Sequence, residues 1–243
     1  MKPNQDIPNN GFGHSTDYLA VDNPLRDIDV LLFDLDNTIY PNELGLLDRV
    51  EARMTEFIMD MFQIDVATAK ELRTEYYHEY GTTLRGLMNK HKVDPEAFLA
   101  YVHEIDRSHV DADHELEELL SMIPKRKVIF TNGSRRHAEH TLGKLGINHH
   151  FEDIFDITAA EYIPKPNAYP YQKICEKHNI DPKRAIMFDD IARNLLPAAD
   201  IGMTTVLIES DNPRAMEFHD DERIHFHVVS VVEFIKRHFL NIS

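Results

Sequence analysis

The sequence predicts an α/β fold: a parallel β-sheet core of Rossmann-like type, with a small all-helical segment inserted directly after the first strand. Three observations predict it. Short, mostly apolar runs recur at residues 30–33, 127–130, 185–188 and 204–208, and strands that are apolar without alternation are those covered on both faces of a parallel sheet. Segments with apolar residues at spacings of three and four separate the later runs, supplying the helical crossovers that parallel strands require. Between the first and second runs, residues 43–110 carry helix and loop patterns only.

Residues 1–26 contain Pro3, Asn4, Asn9, Asn10, Gly11 and Gly13 without an apolar stretch. They read as a polar N-terminal arm and lack the hydrophobic segment of a secretory leader. The first strand, at 29–35, runs straight into carboxylates. In the helix expected at 47–62, Leu47, Val50, Met54, Phe57, Ile58 and Met61 share one face. Further helical patterns occupy 66–80 and 95–103, the second with Asp94 as N-cap and Pro95 at the first helical position. After a helix at 114–122, strands are expected at 127–130, 154–158, 185–188 and 204–208. Helices at 135–145, 168–178 and 192–199 lie between them, with Gly146, Asn179 and Gly202 as stop residues. The expected organisation is an arm of residues 1–26, an α/β core of 27–42 and 111–243, and a helical cap of 43–110.

Charge and cysteine content narrow the function. Against 26 Lys and Arg stand 42 Asp and Glu, a formal charge of −16, which repels polymeric nucleic acid and anionic membrane surfaces. No apolar run approaches the roughly 20 residues of a membrane span. Cys175 is the only cysteine in 243 residues, so no internal disulfide forms and a reducing, cytoplasmic setting is expected, for a monomer or homodimer. The 15 histidines include His149-His150 and His225-x-His227. Neither pair has the Cys or further His spacing of a zinc site, so transition-metal binding is not expected.

Ligands of open α/β sheets bind at the carboxyl ends of the strands, so the residues that follow each apolar run are read together. Strand one ends in Asp34-Leu35-Asp36-Asn37-Thr38, the next in Thr131-Asn132-Gly133-Ser134, a later loop holds Pro164-Lys165-Pro166, and the fourth expected strand, at 185–188, ends in Asp189-Asp190 with Asn194 just beyond. Asp34 and Asp36, two apart on an extended segment, are expected to converge on a hard divalent cation, Mg²⁺. Asp189 and Asp190 add carboxylates from a neighbouring strand end, a cluster that repels itself without a cation. Thr131, Asn132 and Ser134 offer donors suited to phosphoryl oxygens, and Lys165 supplies a point charge. The combination describes a metal-assisted phosphoryl site whose substrate is a small phosphomonoester.

These four motifs resemble those of the haloacid dehalogenase-like hydrolase superfamily, and the likeness extends over about residues 28–243. The resemblance implies that Asp34 is the nucleophile, forming an aspartyl-phosphate, and that Asp36 is the general acid and base. It implies phosphoryl binding by Thr131 and Asn132, and stabilisation of the phosphoryl group by Lys165. Mg²⁺ would be held by Asp34, Asp189, Asp190 and the backbone carbonyl of Asp36. Asp36 also separates phosphotransfer from dehalogenation, because dehalogenases of this superfamily lack that acid. Within the superfamily, Asp36-Asn37-Thr38-Ile39-Tyr40-Pro41, the stretch from Tyr76 to Leu87, and Phe130-Thr131-Asn132 are similar to the pyrimidine 5′-nucleotidase branch. That likeness implies hydrolysis of nucleoside monophosphates such as UMP or CMP, with Tyr76, Tyr80 and Arg85 of the cap on the base, ribose or phosphate. Tyr76 and Tyr80 also have the spacing of residues packed inside the cap. Alternatives are a phosphatase or phosphomutase for a sugar phosphate or phosphoglycolate, and a non-catalytic binding protein on the same fold.

Overall fold

The computed structural model describes residues 25–212 and 214–240. All of the predicted N-terminal arm except Leu25 and Arg26 lies outside that span, and Leu25 is buried against the core. Among the described residues a six-stranded sheet has the order β3-β2-β1-β4-β5-β6. Its strands are β1 (Val30–Phe33), β2 (Arg126–Phe130), β3 (Asp153–Phe155), β4 (Ala185–Asp189), β5 (Thr204–Ile208) and β6 (Phe226–Val228). Every neighbouring pair is parallel.

The central strand β1 is buried throughout, and its side chains alternate between two hydrophobic layers as the pleat dictates. Leu31 and Phe33 face one layer, where they meet α5 (His114–Ser121), α6 (Arg135–Leu145) and α9 (Val231–Phe234). Val30 and Leu32 face the other, formed with α7 (Ala168–His178) and α8 (Ala192–Asp200). In register, Phe33 lies opposite Ile129 on one side and Phe188 on the other. The carboxyl ends of β1, β2 and β4 therefore open at one level. The chain order reverses there, at the crevice where such sheets bind ligands.

Between β1 and β2 come α1 (Leu46–Phe62), α2 (Val66–Tyr80), α3 (Thr83–His91) and α4 (Pro95–Val102). These helices share a hydrophobic cluster of their own, to which the sheet domain adds Ile157. Helix α3 and the edge strand β6 were not among the expected elements. Thr82 starts α3 by accepting a hydrogen bond from the Arg85 N–H at 3.2 Å. Gly86 then lets α3 lie directly on Tyr76, since a Cβ there would sit 2.5 Å from both Cβ and Cγ of that tyrosine. Gly86→Ala is accordingly expected to lower stability by about 1–3 kcal/mol, as overpacking does. Urea unfolding measures it, and an unchanged midpoint would contradict this packing.

Candidate active site

Asp34 follows β1 while still in sheet register, its N–H donating to the Phe188 carbonyl at 2.8 Å. Asn37 then turns the chain sharply with φ of 60°, a left-handed conformation that asparagine tolerates better than most residues. On the next strand over, the Thr131 N–H donates to the Phe155 carbonyl at 3.0 Å. Thr131 Oγ1 accepts from the Gly133 N–H at 2.9 Å, folding the loop back on itself.

Lys165 is the hub of the site. Its Nζ donates to Asp34 Oδ1 at 2.7 Å, to Asp189 Oδ2 at 2.7 Å and to the Phe130 carbonyl at 2.8 Å, so all three N–H bonds of the ammonium have acceptors. Burial would lower the lysine pKa, but Asp189 and Asp34 outweigh it and raise it. The loop that carries Lys165 is clamped by Asn132, whose Oδ1 accepts from the Lys165 N–H at 2.9 Å and whose Nδ2 donates to its carbonyl at 3.3 Å. Asp189, fully buried, accepts at Oδ1 from Asn194 Nδ2 at 3.0 Å and from the Ile191 N–H at 2.9 Å.

Carboxylate oxygens of Asp34, Asp189 and Asp190 lie within 4.8 Å of one another. Burial, with help from Asp189 and Asp36 and against the pull of Lys165, pushes Asp34 up to about 7. Burial together with Asp189 and Asp34 also raises Asp190 well above the carboxylate range. Fully ionised, three carboxylates facing one ammonium would carry two uncompensated negative charges, which a divalent cation with oxygen ligands would neutralise. The donor set fits Mg²⁺.

Asp36 departs from the expected convergence: its carboxylate is turned away from this cluster. Asp36 Oδ1 accepts from the Tyr40 hydroxyl and pairs with His137 Nε2 at 2.8 Å. On the far side of the imidazole, Arg107 Nη2 donates to His137 Nδ1 at 2.7 Å. A guanidinium can only donate, so the His137 proton sits on Nε2 and points at Asp36. Burial would raise Asp36, but the pull of His137 and the hydrogen bonds from His137 and Tyr40 outweigh it and hold the carboxyl at about 2. His103 stacks on His137 with ring centroids 4.5 Å apart and pairs with Ser134 Oγ at 2.8 Å. Burial is the main cause that holds His103 at about 3.

Above these groups opens a cavity of about 230 Å³. Asp34, Asp36, Thr131, Asn132, Lys165 and Asp190 form its polar end, and Leu47, Val50, Met54, Tyr77, Leu84, Phe98 and Leu99 of the four inserted helices form an apolar wall. Arg73 lines it as well, fixed to Glu51 by 2.8 Å bonds to the carboxylate and to the backbone carbonyl.

The structure thus brings Asp34, Asp36, Thr131, Asn132, Lys165 and Asp190 to one cavity, with Asp189 immediately behind. The Asn132 side chain is spent on the Lys165 loop, which makes it a positioning residue in this arrangement. Tyr76, Tyr80 and Arg85 are not among the cavity's lining residues. Tyr76 is buried in the helical cluster with its hydroxyl 2.6 Å from His91 Nε2, and Tyr80 donates to Glu79 Oε1 at 2.6 Å. The residues of α2 that line the cavity are Arg73, Thr74 and Tyr77, on the adjacent face of the helix. His137, His103 and Arg107 escaped the sequence reading altogether, since nothing in their spacing ties them to Asp36.

A parallel sheet with a buried lysine–carboxylate centre at its topological switch point defines an α/β protein with its ligand site at the strand ends. The chain belongs to the haloacid dehalogenase-like hydrolase family, whose model it matches over residues 28–202. Among curated proteins it is 28% identical over 200 residues to phosphate metabolism protein 8 of Saccharomyces cerevisiae, a match that covers 73% of this chain and 60% of that protein. The chain therefore spans less than two thirds of that relative's length. The fold is similar to a haloacid dehalogenase-type phosphatase from Thermococcus onnurineus, with a TM-score of 0.58 and 17% identity over 86% of this chain and 97% of the other. β-Phosphoglucomutase from Clostridium difficile gives a TM-score of 0.56 and 18% identity over 88% and 98% of the two chains. L-2-haloacid dehalogenase from Xanthobacter autotrophicus gives 0.52 and 12% over 89% and 100%. No helix among the described residues is long and apolar enough to cross a membrane.

Proposed function

We propose that the protein is a Mg²⁺-dependent phosphomonoesterase that works through an aspartyl-phosphate on Asp34, with a pyrimidine nucleoside monophosphate of the UMP or CMP type as substrate. The observation that carries this reading is Lys165, bonded at 2.7 Å to both Asp34 and Asp189, at the polar end of a cavity whose wall is apolar and aromatic. The curated relative's name places that protein in phosphate metabolism, which is in keeping with it. A bound divalent cation, held by Asp34, Asp189 and Asp190 with the Asp36 carbonyl, would neutralise the carboxylates and polarise the phosphoryl oxygens.

The chain's own groups supply the rest. Asp34 Oδ2, the oxygen not bonded to Lys165, attacks phosphorus as the bond to the leaving oxygen breaks. The leaving oxygen takes its proton from the Asp36 carboxyl, which must first turn from His137 and Tyr40 and become protonated in the substrate complex, since those contacts hold it at about 2. Water then attacks the phosphoryl group, returning a proton to Asp36 and releasing inorganic phosphate and the Asp34 carboxylate. His137 and Tyr40 orient Asp36 between these two tasks. The inserted helices act as a cap that excludes water and selects the substrate, with Tyr77 and Leu84 against the base. A dehalogenase requires neither Asp36 nor a cluster of carboxylates for a metal, and this chain carries Asp36 and the cluster of Asp34, Asp189 and Asp190.

Phosphate release from a panel of nucleoside monophosphates and sugar phosphates, with and without Mg²⁺, tests the reading. UMP and CMP are expected to lead the panel, and only with Mg²⁺. Tyr77→Ala is expected to raise KM for the nucleotide about tenfold through lost stacking, with little change for a small phosphomonoester that has no base. Absence of Mg²⁺-stimulated release from every substrate would overturn the phosphatase, and sugar phosphates leading the panel would overturn the nucleotidase.

A further inference from the structure

The edge of the sheet opposite the cavity holds a second group of metal-ligating side chains. His149 and His150 sit in the short 3-10 turn Asn148–His150 that precedes β3, and Glu117 lies in the first turn of α5. Nε2 of His150 is 3.4 Å from Glu117 Oε1, and Nε2 of His149 is 3.6 Å from the same oxygen. One ligand atom from each residue falls within 4.8 Å of the others. These separations are long for hydrogen bonds. The shorter is close to the edge of a coordination tetrahedron and the longer within a few tenths of an ångström of it, because ligands about 2.0–2.1 Å from zinc stand about 3.3–3.4 Å from one another.

A second observation points the same way. The His150 side chain is nine-tenths buried, and its Nε2 is shut off from solvent with no well-formed hydrogen bond, only the 3.4 Å contact with Glu117 Oε1. Buried polar atoms in folded proteins rarely go unpaired, and an ion is one of the groups that explain such an atom. The neighbouring Lys127 is turned aside, its Nζ donating to the Ile123 carbonyl at 2.6 Å and the Lys125 carbonyl at 3.1 Å.

We propose that Glu117, His149 and His150 form a structural site for a borderline divalent transition metal, Zn²⁺ foremost, that ties α5 to the connection between α6 and β3. Two imidazoles and one carboxylate suit zinc and leave a fourth position for water, whereas Mg²⁺ and Ca²⁺ favour all-oxygen sites such as Asp34, Asp189 and Asp190. The proposal is independent of the phosphatase reading. It reverses the expectation from sequence, where the adjacent histidines lack partners at zinc-site spacing because the carboxylate comes from another helix.

Isothermal titration of the full chain with Zn²⁺ in saturating Mg²⁺, which occupies the carboxylate cluster, is the test. One Zn²⁺ per chain is expected, with a rise in Tm. Binding should weaken at least tenfold in His149→Ala and in Glu117→Gln, both at partly exposed positions, with phosphate release unchanged. The buried His150 is left in place so that folding is not at issue. An absence of Zn²⁺ binding, or binding that is equal in the wild type and both substituted proteins, would overturn the site and leave the three residues as a surface ion pair.

Discussion

Replacing Asp34 with asparagine is expected to abolish phosphate release, by at least about 10⁴-fold, while making the metal-free protein more stable at neutral pH. The first effect follows from the loss of the attacking oxygen. The second follows from electrostatics. Burial holds the Asp34 carboxyl at about 7 in the folded chain, against about 3.9 for an unfolded aspartate. Between these values the folded state binds more protons than the unfolded state. Its stability therefore falls as pH rises through about 4 to 7, and the full penalty persists above that window. Asparagine carries no charge to penalise and can still accept from Lys165 through Oδ1. The gain at pH 8 is expected to be about 2 kcal/mol, and to shrink towards pH 4. Mg²⁺ should reverse the comparison, because it stabilises the wild type far more than it stabilises Asp34→Asn. Urea unfolding at pH 5 and pH 8, with chelator and with Mg²⁺, gives the four values. Retained phosphate release would sink the nucleophile assignment, and an Asp34→Asn protein less stable than the wild type at pH 8 without metal would sink the account of the charge cluster.

The opposite consequences at one residue explain why the core motifs were so legible. Strands β1, β2, β4 and β5 are apolar because both faces are covered, and polar residues at their carboxyl ends stand out against that background. The motif carboxylates and Lys165 could be read from chain order alone, since the parallel topology brings successive strand ends to one level. What failed was orientation. Tyr76 and Tyr77 are adjacent on α2, but Gly86 admits α3 against Tyr76 and leaves Tyr77 to the cavity. Choosing between them requires knowing which helix packs where. Asp36 lines the cavity, but its carboxylate turns to His137 and Tyr40, partners that only the folded chain supplies. Asn132 likewise lines the polar end of the cavity, yet its amide is committed to the Lys165 backbone. Short elements such as β6 carry too few residues for their periodicity to register. Part of the formal charge of −16 is concentrated in the cluster of Asp34, Asp189 and Asp190.

The largest loss of stability is expected from Lys165→Met. Methionine keeps much of the side-chain volume but removes the ammonium that reaches Asp34, Asp189 and the Phe130 carbonyl. The side chain is 1% exposed, so no water enters readily to replace these bonds. Removing one partner of a buried ion pair typically costs about 3–5 kcal/mol, because the remaining charge stays desolvated. Here two carboxylates lose the same cation, and activity should fall with stability. General misfolding and loss of a specific charge partner make different predictions for the double substitution Asp34→Asn with Lys165→Met. If the cost is the stranded carboxylate, neutralising Asp34 recovers part of it, and the two changes together destabilise by less than the sum of their separate effects. Acidification should help the Lys165→Met protein in the same way, since protonating Asp34, raised to about 7, removes one of the charges that lysine had balanced. Urea unfolding of the wild type, both single mutants and the double mutant at pH 8 and pH 5 measures each quantity. A Lys165→Met protein within about 1 kcal/mol of the wild type at pH 8, or strictly additive effects in the cycle, would show that the lysine does not hold the carboxylates together.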